Sequence, residues 1–223
     1  MQDLVDNFAN LDSLLEVYPL LLQGLRLTAL LAAVALPASV AGGLLVALLY
    51  SVAGPGMRRV LVVLIDVLRA FPVLVLLVLV FYGLPFLGVR LGGFAAVVLA
   101  LGLNNTGYFG EIFRAGLASI PAGQAEAAAA LGLSRFRTLV LVLLPQAVRK
   151  VIAPLAGNAL ELVKTTSIGA LVAMPELLRS ARVAQEQTYN PTPLMAAAVI
   201  YFVLLWPFAR WVAAAERRAL ARS

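Results

Sequence analysis

Between Pro19 and Tyr50 a single charge, Arg26, interrupts an otherwise apolar run, and that stretch constrains the rest of the chain. About 20 apolar residues suffice to carry a helix across the hydrocarbon core of a bilayer. Val60 to Leu84, Leu91 to Phe113, Val151 to Ala173 and Leu194 to Ala214 have the same texture. Hydrophobic residues make up 62% of the chain and charged residues 13%, against about 45–50% and about 25% in soluble domains. A disordered chain and a water-soluble enzyme are therefore set aside. The expectation is an all-α integral membrane protein with five transmembrane helices at about 19–50, 60–84, 91–113, 151–173 and 194–214, forming one transmembrane domain over 1–223.

Cysteine and histidine are both absent. Disulfides, Cys/His zinc sites, haem ligation and Cys or His nucleophile–base pairs are excluded, and neither a metal nor a catalytic residue is expected. No G-x-x-x-x-G-K-[ST] occurs, so the chain holds no nucleotide in a Walker A loop. The net charge is +6, and 15 of the 17 cations are Arg scattered among apolar runs. That distribution suits anchoring at a membrane face better than a phosphate-binding stripe, and no nucleic-acid partner is expected. Residues 1–16 carry Asp3, Asp6, Asp12 and Glu16 and no cation, the reverse of a signal peptide's positive start.

The Lys/Arg bias sets an orientation. Arg58 and Arg59 follow span one. Arg114, Arg135, Arg137, Arg149 and Lys150 lie between spans three and four, and Arg210, Arg217, Arg218 and Arg222 close the chain. With five spans these regions share the cytoplasmic side. The N-terminus is then outside and the C-terminus inside.

Between spans three and four, residues 119–137 are too short and too rich in small residues to cross a bilayer. Glu126 to Leu131 reads as a short alanine-rich helix, with Gly132 able to supply a left-handed cap. Small alanines let a partner surface approach closely, although a hairpin on the membrane surface without a partner fits the same residues. Glu161 and Lys164, three residues apart inside a span, share a helix face and pair with each other or line a polar path. Asp66 and Arg69 repeat that spacing and read as a structural pair. Asn104, Asn105 and Thr106 interrupt an apolar span, either as cavity lining or as hydrogen bonds between helices.

Glu126-Ala127-Ala128, Gly132 and Leu144-Pro145 resemble the EAA signature of ABC-importer permease subunits. Glu111-Ile112-Phe113-Arg114, Ile120-Pro121, Gly123-Gln124, Ala130-Leu131-Gly132 and Pro145-Gln146-Ala147 narrow the resemblance to the polar-amino-acid branch, the histidine/glutamine/arginine permease type. Lys164-Thr165-Thr166-Ser167 resembles that branch's K-D-T-S, Pro175-Glu176-Leu177-Leu178 its P-E-L-L, and Arg69-Ala70-Phe71-Pro72 its R-G-T-P. The ordered set covers roughly residues 18 to 215.

The resemblance implies a type I ABC importer permease in a bacterial inner (plasma) membrane. Its partners would be two ABC ATPase subunits, a second permease subunit of the same or a related chain, and an extracytoplasmic amino-acid-binding protein. ATP and Mg would belong to the ATPases, and this chain would have no cofactor of its own. A coupling helix at about Ala122 to Leu133 would engage the ATPase through Gly123, Glu126, Ala127, Ala128, Gly132, Ser134 and Arg135. The substrate path would include Phe71, Asn104, Asn158, Glu161, Lys164, Thr165 and Thr166. The chain departs from the branch pattern at Thr165, where K-D-T-S has Asp, and Asn158 stands where basic-substrate members often have an acidic residue. A cationic side chain would find no carboxylate at either, so an acidic, amide or small neutral amino acid is favoured over a basic one. Alternatives are an ABC permease for another small solute, such as methionine or a phosphonate, or a stand-alone secondary carrier. The long insertion in one half only, without matching repeats, speaks against the carrier.

Overall fold

The computed structural model describes residues 8–220. Asp3, Asp6 and Arg222 lie outside them. Helix α1, Leu11–Val52, begins earlier than hydropathy alone suggests, because Asn10 caps it. The Asn10 side-chain oxygen accepts from the Ser13 N–H at 3.0 Å, and Asp12 occupies the first turn, where a negative charge meets the positive helix end. The chain turns at Ala53-Gly54, and Pro55 opens α2, Pro55–Ala70.

Span two is not one helix. Pro72 cannot donate a backbone hydrogen bond and disfavours the helical conformation for the residue before it. Phe71 is accordingly extended, at φ −73° and ψ 124°, and ends α2. The chain restarts as α3, Val73–Val78, widens into a π turn over Leu79–Gly83, and closes in a 3-10 turn over Leu84–Leu87 with Gly88 at φ 82°. Helix α4 spans Gly93–Ala118 and α5 spans Ala122–Ala130.

Span four also differs from expectation. By residue order alone Phe136–Leu144 is too short to span, Pro145 interrupts it, and the span starts at Val151. Instead α6 (Arg135–Arg137), a π turn (Thr138–Leu143), α7 (Leu144–Thr165) and a 3-10 turn (Thr166–Val172) follow one another directly. The Leu144 N–H bonds back five residues to the Leu139 carbonyl, immediately before Pro145. Leu84 does the same to Leu79, immediately before Pro85. In both places the wider turn relieves the crowding a proline ring imposes on the preceding carbonyls, and the helix passes through. Two helices complete the chain, α8 (Leu177–Thr188) and α9 (Thr192–Leu220).

Leu11–Val52, Arg135–Val172 and Thr192–Arg218 are each long and apolar enough to cross a membrane, and Pro55–Ala70 with Val73–Leu87 qualifies as a broken pair. Helix α4 has 26 residues, but Asn104, Asn105, Thr106, Glu111 and Arg114 make it polar from its middle onward.

Contacts divide the chain into two compact units, to both of which α1, α4, α7 and α9 contribute. The first comprises Met1–Ala35 as far as described, Leu74–Leu101 and Leu160–Arg210. Its core joins Val17 and Leu21 of α1, Leu177, Ala181 and Ala184 of α8, and Ala197 of α9. At Gly24 a Cβ would come within 2.9 Å of the Leu177 Cα, so only glycine admits this approach. By residue order Pro175–Pro193 is polar and reads as a short surface helix plus a loop, but one face of α8 is core. Glu176 heads that helix and is fully buried. Its carboxylate accepts the N–H groups of Leu178 (2.9 Å) and Arg179 (2.8 Å) and the Tyr201 hydroxyl at 3.3 Å. The second unit comprises Leu36–Val73, Gly102–Ala159 and the described part of Trp211–Ser223. Val46, Leu61 and Ile65 pack in it, and a Cβ on Gly43 would stand 2.5 Å from the Phe109 Cβ.

Burial pushes the Glu176 carboxyl above its ordinary range, against the lowering effect of the two backbone N–H groups and the Tyr201 hydroxyl. A raised folded-state value favours the protonated form. The contribution to stability is thus complete at acid pH and is lost as pH rises through the folded value. Glu176→Gln mimics the protonated form and keeps an acceptor oxygen. Thermal unfolding of the purified chain is expected to show the variant gaining on the parent as pH rises from the acid side to neutrality. A pH-independent gap would contradict this assignment.

Candidate functional site

The alanine-rich element lies in the second unit and is a capped helix. Helix α5 ends in a pair of bonds from the Gly132 N–H to the Ala129 carbonyl (2.9 Å) and the Leu133 N–H to the Ala128 carbonyl (3.1 Å). This closure requires a left-handed residue, and Gly132 supplies it at φ 79°. Ser134 then starts α6 by accepting the Arg137 N–H at 3.4 Å. Gly123, Glu126, Ala127, Gly132, Ser134 and Arg135 are exposed, with Leu131 at 83% exposure on the tip. Ala128 is the exception among the expected coupling residues. It is buried and faces its own chain.

Two residues without an expected role tether the element. The Gln146 side-chain amide donates to the Gln124 Oε1 at 3.2 Å and to the Val142 carbonyl at 2.8 Å. Lys150 Nζ donates to the Ser119 carbonyl at 2.8 Å, one residue beyond α4. Gln146 had shown itself only as part of the Pro145-Gln146-Ala147 motif. Behind α5 lies a cavity of about 700 Å³ whose lining includes Tyr50, Arg58, Arg114, Glu126 and Arg135. Arg58 donates to the Tyr50 and Ser51 carbonyls at 3.2 and 3.3 Å, so it caps the last turn of α1. The Arg58 and Arg114 guanidinium carbons both lie over the Tyr50 ring, 5.4 and 5.6 Å from its centroid. Arg114 grips Glu111 with two bonds of 2.8 and 2.6 Å. The Glu111–Arg114 part of the motif thus joins the ends of α1 and α4.

The residues expected along the path divide between the units. In the first, Lys164 Nζ pairs with Glu161 at 2.6 Å, as the spacing suggests, and both side chains are exposed. Thr165 donates to the Glu161 carbonyl at 2.7 Å, and the fully buried Thr166 donates to the Val163 carbonyl at 2.6 Å. Lys164 also borders an apolar cavity of about 520 Å³ with Ser167, Tyr201, Phe202 and Trp206. In the second unit, Phe71 is 42% exposed and Asn158 donates to the Asn105 side-chain oxygen at 3.2 Å. Asn104 is buried, and its amide bonds to backbone carbonyls of Leu68 and Phe71. The expected Asp66–Arg69 pair is not among the ion pairs of the described residues. Arg69 lies instead over the Tyr108 ring, at 5.4 Å.

Residues 39–220 match the family described as binding-protein-dependent transport system inner membrane component. The chain is 31% identical over 191 residues to the probable amino-acid ABC transporter permease protein YckA of Bacillus subtilis, covering 85% of this chain and 84% of that one. It is 34% identical over 154 residues to the probable glutamine ABC transporter permease protein GlnP of the same organism, covering 67% and 71%. Further relatives are named as permeases of arginine and L-cystine transport systems. A solved amino acid ABC transporter crystallised with histidines superposes at a TM-score of 0.82 with 32% identity, covering 92% of this chain and 97% of that one.

Replacing Gly132 by Ala leaves the sequence of α5 intact but puts a Cβ on a left-handed residue, at a cost of about 1–2 kcal/mol. Amide hydrogen exchange at Ala127–Ala130 is expected to accelerate by about 5- to 30-fold, with no change in the core of the first unit. Unchanged exchange would show that the cap does not hold the helix.

Proposed function

The chain belongs to the binding-protein-dependent transport system inner membrane components, as an amino-acid ABC transporter permease, and we propose that it supplies five spans and a coupling helix to an ATP-driven importer. Members of this family are permease subunits and not enzymes, and ATP hydrolysis lies in partner subunits. The proposed assembly pairs this chain with a second permease, the same or related. Two cytoplasmic ATPases carry ATP and Mg, and an extracytoplasmic binding protein delivers the amino acid. The five spans are α1, the broken α2–α3 pair, α4, the run from α6 through α7, and α9. The N-terminus is outside and the C-terminus is cytoplasmic.

The observation that carries this reading is the exposed face of α5. Its alanines and Gly123 offer a flat surface, Glu126 offers one charge, and Gly132, Gln146 and Lys150 hold it to the helices behind. A helix so tethered transmits a push to those helices instead of bending away. Closure of the ATPases on ATP would draw two such helices together and bias the permease pair from outward to inward opening.

The path is proposed to take an acidic, amide or small neutral amino acid. Thr165 and Asn158 carry no charge, and the Glu161 carboxylate is already held by Lys164. A basic side chain would find no uncommitted carboxylate among the path residues named.

The test is ATP hydrolysis by the purified complex in lipid, with its binding protein and a panel of amino acids. Glutamine or glutamate is expected to stimulate hydrolysis only when the binding protein is present. Glu126→Trp and Gly132→Trp are expected to lower that stimulation by about tenfold or more, the scale of a lost interface anchor, while the complex still assembles. Full stimulation in both variants would overturn the coupling role of α5. Stimulation by arginine alone would overturn the substrate assignment.

A further inference from the structure

Pro72 leaves a precise accounting problem at the end of α2. In an unbroken helix the N–H of residue 72 would bond to the Leu68 carbonyl, and that of Val73 to the Arg69 carbonyl. Proline has no N–H, and the extended Phe71 ends the ladder. The carbonyls of the last turn must find donors elsewhere or remain unpaired in an apolar setting, at a cost of several kcal/mol each in hydrocarbon.

Helix α4 supplies those donors from one face. The Asn104 amide nitrogen donates to the Leu68 carbonyl at 3.0 Å and to the Phe71 carbonyl at 3.0 Å. The Tyr108 hydroxyl, four residues on, reaches the Arg69 carbonyl at 3.4 Å, while the Arg69 guanidinium covers its ring. Gly107 lies between them. A Cβ there would come within 3.0 Å of Leu68 Cβ and Arg69 Cγ and 3.1 Å of the Ile65 carbonyl, so its absence lets the two helices meet. Asn104, Gly107 and Tyr108 together form a cradle for the broken end of α2. Both partners of the Asn104 nitrogen are acceptors, which demands an NH₂ group there and excludes a carboxylate of the same shape.

We propose that Asn104 is a positioning residue for substrate passage. It fixes the broken end of α2, and with it Phe71, and does not itself touch the amino acid. The inference rests on the reading of Phe71 as a path residue. It assigns Asn104 a role that cavity lining does not describe.

The test is a double-mutant cycle between Asn104 and Phe71 in the assembled complex, read as the KM for glutamine and the maximal rate of stimulated hydrolysis. Asn104→Ala is expected to raise KM about tenfold, the scale of losing two buried hydrogen bonds, with the maximal rate nearly unchanged. Phe71→Ala is expected to raise KM too, and the double variant no further than the larger single effect, because Asn104 acts through Phe71. If Asn104→Ala does not assemble, Tyr108→Phe carries the same cycle. It removes one hydroxyl and keeps the ring under Arg69, with an expected shift of about twofold. A parental KM in the variants, fully additive effects, or a lower melting temperature with KM unchanged would each overturn the positioning role. A parent complex that no amino acid stimulates would instead overturn the importer reading on which it rests.

Discussion

Away from water, every backbone N–H and C=O needs an internal partner, and prolines are where this chain comes closest to violating that requirement. At Pro72, Pro85 and Pro145 it resolves the problem in two ways, while Pro154 and Pro207 stand inside helices that continue. Before Pro85 and Pro145 a π turn shifts the hydrogen bond to the fifth residue back, and the helix continues. Before Pro72 the helix stops, and a neighbouring helix provides the missing donors through Asn104 and Tyr108. The first solution yields the long run from Arg135 to Val172. The second yields a fixed break with Phe71 at its corner.

The same bookkeeping governs the helix ends nearer water. Arg58 takes up the last carbonyls of α1, Lys150 takes the Ser119 carbonyl beyond α4, and Glu176 takes the first N–H groups of α8. Each cap belongs to a different element from the one before it in the chain or lies at a turn. The element around α5 is held by Gly132, Gln146 and Lys150, and its outward face is exposed.

Much of this was legible from residue order. Gly132 marked a left-handed cap, and the spacing of Glu161 and Lys164 admitted an ion pair. The ordered motifs from Glu111 to Leu178 pointed to the family to which the chain belongs. What stayed hidden depends on partners distant in sequence. Pro145 looked like a stop because a π turn leaves no trace in hydropathy. Arg69 found the Tyr108 ring in place of Asp66 because α4 packs beside α2. Glu176 lies in a polar stretch, and its burial is set by α1 and α9. Asn104 shows the limit most clearly. Its residue type admitted both a cavity and a hydrogen bond between helices, and only the position of the Pro72 break decides between them.

In the proposed importer, this chain moves solute only when ATP is hydrolysed elsewhere and passed to it through α5. Uptake of labelled glutamine into sealed vesicles holding the complex, with the binding protein outside, tests that dependence most directly. The account predicts accumulation when ATP is enclosed on the side of α5, and none when ATP or the ATPase subunits are omitted. Accumulation by this chain alone, without ATP, would contradict the account and make the chain a stand-alone carrier.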